Sequence, residues 1–317
     1  MKARRPLSVG KRLETPGDWL RHAEKQYARH SVALGQVATT AHDEALYLLL
    51  HTLGLPLDSK PAVLRRKLKA GEAGRLREIF RRRLEDRVPA AYLTREAWLG
   101  DFRFHVDERV IIPRSYFLEI IPEQLPHWLP EKKPVKRVAD VCTGSGCLAV
   151  LLAHQFPGAK VDAIELSPDA MAVAKFNVAT HGLGRRVKLF HSDVFDAVPK
   201  AKYDIILSNP PYVPTRELRS LPDEFKTEPK MALDGGPDGL AVIRKLLRQS
   251  VDRLQPHGIA VLEVGGLRAA VDRAFSELDP HWLHTGDGED CVCVFHARKL
   301  KNRGKQSASR GATPRSA

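Results

Sequence analysis

The stretch Tyr203-Asp204-Ile205-Ile206-Leu207-Ser208-Asn209-Pro210-Pro211-Tyr212 decides how this chain of 317 residues is read. Its first half is a short apolar, β-branched run of the kind that forms a buried parallel strand. Asn209-Pro210-Pro211-Tyr212 then falls at that strand's carboxyl end, the edge at which ligands of open α/β sheets collect. Two consecutive prolines fix φ and remove two backbone donors, leaving the carbonyls of the turn as rigid acceptors beside the Asn209 side chain. Such a turn can grip an NH2 group. A planar amide or aromatic amine has a delocalised nitrogen lone pair. Donating its hydrogens to the Asn209 side-chain oxygen and the Pro210 carbonyl would aim that nitrogen at an electrophile, with Tyr212 packed on the flat face. The plain structural reading of the same residues is a strand-ending turn that contains Pro-Pro.

Outward from this stretch, strands and helices alternate from Val135 onward. The pattern predicts strands at 137–142, 160–165, 187–191, 203–208, 258–264, 282–285 and 291–296, with helices near 147–156, 168–182, 238–254 and 266–277. That is a doubly wound α/β domain with a mostly parallel seven-stranded sheet. Only Gly286-Asp287-Gly288-Glu289-Asp290 separates the last two strands, so they must pair as an antiparallel hairpin at the sheet edge. The first strand runs into Thr143-Gly144-Ser145-Gly146-Cys147, where Gly144 and Gly146 let the backbone turn sharply and approach a ligand. Glu165 ends the next strand, where a carboxylate can accept both hydroxyls of a ribose; Asp193 follows the third, placed to contact an adenine edge. Gly144-x-Gly146-x-x-Ala149 also matches the NAD fingerprint. Against a dehydrogenase stand Asp140 before the glycines, the Asn209 turn and the terminal antiparallel hairpin.

Before this core, the spacing predicts a small helical domain. Thr15-Pro16-Gly17-Asp18 and Thr40-Ala41-His42-Asp43 open two helices, Asp58-Ser59-Lys60-Pro61 a third, and Glu72 through Asp86 a fourth. In the fourth, Ile79, Phe80 and Leu84 are expected to face inward, and Arg81, Arg82, Arg83 and Arg87 outward. An arm follows: Gly100-Asp101 suits a tight hairpin turn, the chain continues through Val110 to Ser115, and a helix carries Leu118, Ile120 and Ile121. The expected division is 1–90 helical and substrate-recognising, 91–134 arm, 135–300 catalytic, and 301–317 a basic tail too polar to fold alone.

Charge is unevenly placed. Residues 1–96 carry 20 Lys/Arg against 11 Asp/Glu, residues 97–297 carry 24 against 27, and residues 298–317 seven against none. A near-neutral core with basic ends suggests a polyanionic setting for the target, RNA above all. No apolar run approaches the roughly 20 residues that span a bilayer, and no apolar segment follows the basic start, so a cytoplasmic protein is expected. Cys142, Cys147, Cys291 and Cys293 lack the spacing of a disulfide framework or zinc ribbon; Cys291 and Cys293 read as buried small hydrophobes.

Asp140-Val141-Cys142-Thr143-Gly144-Ser145-Gly146, Glu165 and Asn209-Pro210-Pro211-Tyr212 resemble the class I S-adenosylmethionine-dependent methyltransferases. More narrowly they resemble the protein-(glutamine-N5) methyltransferases that act on peptide release factors or on the third large-subunit ribosomal protein. The similarity runs over about 20–300; Asp107 through Ser115 and Leu221-Pro222-Asp223-Glu224-Phe225 look like the ribosomal-protein branch. Glu165 departs from that branch, which often has Asp. The resemblance implies a Rossmann-like fold with S-adenosylmethionine as cofactor and no metal. It implies that Cys142, Thr143, Gly144, Ser145 and Gly146 hold the methionine moiety, Glu165 the ribose and Asp193 the adenine region, with Asp140 also among the cofactor-binding residues. Asn209, Pro210 and Tyr212 would carry catalysis, Pro211 and Arg114 would join them around the substrate, and Asn209 would also border the cofactor. The implied partner is a large-subunit ribosomal protein, in an rRNA-containing assembly intermediate. Release-factor methylation, DNA adenine methylation and a non-catalytic RNA-binding factor are the alternatives, the second requiring a target-recognition domain for a flipped base that no insert supplies.

Overall fold

The computed structural model describes residues 13–131, 133–286, 288 and 290–301. The basic extension from 302, and Asp287 and Glu289 of the last loop, lie outside the described residues. Thr15 opens α1 (Pro16–His30) through a reciprocal capping box with Asp18 and a proline at the helix start. Thr40 caps α2 (Ala41–Leu53), which stops at Gly54 with φ +64. With α3 (Glu72–Leu84) and α4 (Ala90–Thr94), these helices enclose a core of their own built on Trp19, Tyr27, Leu48, Leu49, Leu76 and Phe80. The helix expected at Pro61 is only a 3-10 turn, Pro61–Arg65. Val63 and Leu64 are adjacent and the run Arg65-Arg66-Lys67 follows, so no apolar stripe sustains further turns.

A second correction concerns α3. Arg83, expected to face out, is 0% exposed. Its Nε donates to Glu44 at 2.5 Å and its terminal nitrogens reach the Ala33 carbonyl (2.8 Å) and Glu224 (3.4 Å), while Tyr27 donates its hydroxyl to Glu44 (2.9 Å). Arg87 also turns inward, to Glu224 at 3.0 Å. Arg81 and Arg82 stay at the surface, Arg81 paired with Glu78 and Asp86.

The arm forms as expected through β1 (Glu96–Leu99) and β2 (Phe102–His105), antiparallel with Leu99 opposite Phe102. Gly100 makes the turn at φ +60, and a Cβ there would lie 2.7 Å from Leu118, so glycine both reverses the chain and admits α5 (Phe117–Glu123). Residues 110–115 pair with no strand among the described residues.

The α/β region threads β3 (Arg137–Val141), α6 (Cys147–Gln155), β4 (Lys160–Glu165), α7 (Pro168–Thr180), β5 (Val187–His191), β6 (Tyr203–Ser208), α8 (Lys230–Leu233), α9 (Ala241–Ser250), β7 (Leu254–Glu263), α10 (Arg268–Phe275), β8 (His281–Leu283) and β9 (Val292–His296). The sheet order is β5-β4-β3-β6-β7-β9-β8, parallel from β5 to β7, with β9 antiparallel to both its neighbours. The closing hairpin pairs as expected, but its last strand lies inside and β8 takes the edge. Val292, Cys293, Val294 and Phe295 are all buried and need cover on both faces, whereas β8 is partly exposed. Alternate residues separate cleanly: Val138, Ile205, Leu207, Ile259 and Val261 join the core that holds the arm and α6. Ala139, Val141, Ile206, Ala260 and Leu262 join the core that holds α9 and α10. No described helix is long and apolar enough to cross a membrane.

Candidate active site

Parallel register brings the ends of five strands, Val141, Glu165, His191, Ser208 and Glu263, to one rim of the sheet. The chain winds outward from β3 to β5 and then crosses to β6, so the strand order reverses between β3 and β6 and opens a crevice there. That crevice is a cavity of about 690 Å³ lined by Cys142, Gly144, Ile164, Glu165, Asp193, Asn209 and Pro211, among others. A second chamber of about 160 Å³ is lined by Ile111, Arg114, Asn209, Pro210, Tyr212 and Phe225. Asn209 borders both. A still larger groove of about 960 Å³ lies over the loop after β6, with Arg216, Arg219, Lys226 and Lys230 in its walls, but it carries none of the strand-end residues. The strand-end residues therefore mark the two spaces that Asn209 borders as the candidate site.

Backbone amides organise the wall of the main cavity. Gly144 donates to Glu165 Oε2 at 2.8 Å, and Leu166 and Ser167 both donate to Oε1 at 2.9 Å. Three of the carboxylate's roughly four acceptor positions are thus taken, leaving one on Oε2 rather than room for two hydroxyls. Gly144 sits at φ +55, and a Cβ added there would meet no atom within 4 Å. Asp193 also lines the cavity, with its carboxylate held by Lys245 at 2.6 Å. Cys142 takes φ +63 where the chain turns, and burial pushes its thiol well above its usual range, so it remains protonated.

The other loop residues lie behind this wall. Asp140 is wholly buried and accepts from the Thr143 hydroxyl at 2.5 Å; burial raises its carboxyl to about 7. Asn177 donates to the Ser145 carbonyl at 2.8 Å, and Gly146 is backed by Ala174, which a Cβ would approach to 3.2 Å. Asp140, Thr143, Ser145 and Gly146 consequently do not line the cavity; they set the loop's shape from beneath.

The Asn209 turn is anchored on three sides. Ser208 donates its hydroxyl to the Val141 carbonyl at 2.5 Å, joining the ends of β6 and β3. Asn209 Nδ2 donates to Glu263 at 2.8 Å, so its side-chain oxygen is the end of the amide that this contact leaves uncommitted. Gly239 at φ +78 packs so closely that a Cβ would lie 2.4 Å from the Tyr212 carbonyl. Arg114, expected beside the substrate, borders the smaller chamber with its guanidinium engaged: its terminal nitrogens bind both Glu228 oxygens at 2.6 and 2.7 Å, and it stacks on Phe225 at 4.9 Å. It shapes the smaller chamber as a wall.

The same loop after β6 is tied to the helical region. Glu224 receives Arg83, Arg87 and the Ala33 amide, and Glu228 receives Gln36 at 2.8 Å. The roof of the smaller chamber is therefore held by residues more than a hundred positions away.

The family model described as methyltransferase small domain matches residues 123–247. Over 91% of its length the chain is 43% identical to the ribosomal protein uL3 glutamine methyltransferase of Burkholderia pseudomallei, covering 96% of that protein. The same enzyme of Bordetella pertussis is also 43% identical, with 91% of this chain and 97% of that one covered. The chain belongs to this methyltransferase family. A solved structure similar to it is the catalytic domain of hMettl16 in complex with the MAT2A 3′UTR hairpin 1, at 18% identity and a TM-score of 0.48, over 72% of this chain and 81% of that one.

In this methyltransferase two acidic residues beside the Asn209 turn, Glu263 and Glu228, add to the site residues expected from the sequence. Glu263 has a legible signal, since it ends the strand next to β6 and must share a rim with Asn209. Glu228 has none, because its pairing with Arg114 spans 114 positions.

Proposed function

We propose that this chain transfers the methyl group of S-adenosylmethionine to the side-chain amide nitrogen of a glutamine in ribosomal protein uL3, in the cytoplasm. The observation that carries the proposal is Asn209, which borders both the main cavity and the smaller chamber with its amide NH2 already committed to Glu263. The residues present fit the cofactor. The main cavity has the volume of a small-molecule site, Ile164, Ala170, Val194 and Val242 offer apolar walls to a ring, and Glu165 keeps one acceptor for a sugar hydroxyl. When bound, S-adenosylmethionine supplies an electrophilic methyl group on a sulfonium and leaves as the neutral thioether.

The chain's own work is positioning. The Asn209 oxygen and the Pro210 carbonyl accept the two amide hydrogens of the substrate, which turns its nitrogen toward the main cavity. Tyr212 flanks the flat amide; burial pushes its phenol up to about 12, so it stays neutral. Neither acceptor is a strong base, and the proton freed on methylation passes to water. The helical region serves as the substrate-recognition domain, a role supported by its hold on the chamber's roof through Glu224 and Glu228. The basic ends support a substrate presented in an rRNA-containing assembly intermediate.

Calorimetry tests the cofactor. S-adenosylhomocysteine is expected to bind and NAD not to; the opposite selectivity would sink the reading. Glu165→Ala should weaken S-adenosylhomocysteine binding by roughly 1–3 kcal/mol, because it removes an acceptor and frees the Gly144 amide. For the substrate, purified uL3 and a peptide release factor are offered side by side with methyl-labelled cofactor. Label on uL3 is expected, and label on the release factor alone would favour the sister activity.

A further inference from the structure

We propose that Glu263 is a positioning residue for the transfer: it fixes which end of the Asn209 amide faces the substrate. This deepens the function proposed above and rests on it. An asparagine amide is nearly symmetrical in shape, so space alone does not prevent it from turning over and presenting NH2 where oxygen is needed. A partner that can only accept removes that freedom. Glu263 supplies it: one oxygen, Oε1, accepts from Asn209 Nδ2 at 2.8 Å, and the other, Oε2, accepts from the Ser115 hydroxyl at 2.5 Å and the Tyr116 amide at 3.2 Å.

The geometry makes the carboxylate a rigid anchor. Glu263 is 4% exposed and ends β7, whose parallel register with β6 sets it directly beside Asn209. Its second oxygen is held from a different element, the residues between the hairpin and α5, so the carboxylate cannot rotate away without breaking two further hydrogen bonds. Glu263 lines neither of the two spaces that Asn209 borders. It therefore acts through Asn209, not on the substrate. The charged and titratable groups that face it are Arg114 from the arm and Tyr212 from the turn. Burial raises its carboxyl to about 7, against the opposing pull of Ser115, Tyr116, Asn209 and Arg114. A protonated carboxyl can donate to the Asn209 oxygen instead of accepting from its nitrogen, so protonation permits the flipped, unproductive amide.

Single-turnover methylation of uL3 with saturating cofactor tests this, wild-type activity being measured first so that a failure of the proposed function shows itself separately. Glu263→Ala should lower the transfer rate at least about tenfold while substrate and S-adenosylhomocysteine affinities change little. Its effect should largely vanish in an Asn209→Ala background, since a residue that works through Asn209 has nothing left to position. The wild-type rate should fall as the pH drops through about 7, and in Glu263→Gln, which cannot titrate, that acid limb should shrink to whatever part the buried Asp140 carboxyl, raised to the same range, contributes, a part read from the same profile of Asp140→Asn. Multiplicative effects of the two alanine substitutions would overturn the proposal, as would an acid limb that Glu263→Gln leaves undiminished. If Glu263→Ala fails to fold, Glu263→Gln and its pH profile decide alone.

Discussion

Asn209→Ala is expected to lower turnover by at least about a hundredfold while leaving a folded protein that still binds S-adenosylhomocysteine. A glutamine amide nitrogen is a poor nucleophile because its lone pair is shared with the carbonyl, so catalysis must come from holding it in line rather than from removing a proton. One preorganised polar partner of this kind is worth roughly 3–4 kcal/mol of barrier. Asn209 is placed to be that partner: it sits at the junction of the two spaces, and Glu263 has already fixed its orientation. The fold does not depend on it, since the turn is also held by Ser208 on Val141 and by the close packing of Gly239. Rates from single-turnover methylation, with binding measured by calorimetry, check this. A mutant retaining more than about a tenth of the wild-type rate would make the turn merely structural.

Arg83→Met should be the most damaging substitution to stability in the helical region. It leaves Glu44 and Glu224 buried without their common cation, and breaking a buried ion network by removing one member costs roughly 3–5 kcal/mol. Arg87 and Tyr27 remain to soften the loss, Arg87 on Glu224 and Tyr27 on Glu44. Thermal unfolding should show a midpoint lower by roughly 10 °C. Arg82→Met, one residue away but exposed, should leave it almost unchanged. Equal midpoints for the two variants would mean that the network contributes nothing.

This contrast marks how far the sequence could be read. The parallel strands, the capping residues Thr15 and Thr40, the tight turn at Gly100 and the Asn209 turn all depend on neighbours within a few positions, where periodicity and turn chemistry carry the information. The inward turn of Arg83 does not. A run of arginines on a helix looks like a solvated face, and only Glu44 and Glu224, 39 and 141 positions away, make the third of them a core residue. The Arg114 pair with Glu228, 114 positions apart, is hidden for the same reason. Within the glycine loop the sequence did not show which residues form the inner surface of the cavity. Cys142 and Gly144 reach the cavity, whereas Asp140, Thr143, Ser145 and Gly146 support them from behind, a distinction set by how the loop bends over α6. The inward place of β9 was half legible, since Val292 through Phe295 is apolar throughout while His281-Trp282-Leu283 is not.

The central claim, methyl transfer to a glutamine amide held by the Asn209 turn, is tested most directly by locating the methyl group. Purified protein, uL3 and S-adenosylmethionine are incubated together, and the product is digested and sequenced by tandem mass spectrometry. The account predicts one added methyl group, on the side-chain nitrogen of a single glutamine, present with the wild-type chain and nearly absent with Asn209→Ala. A methyl group on a lysine, an arginine or a nucleic-acid base, or equal modification by the two proteins, would contradict it.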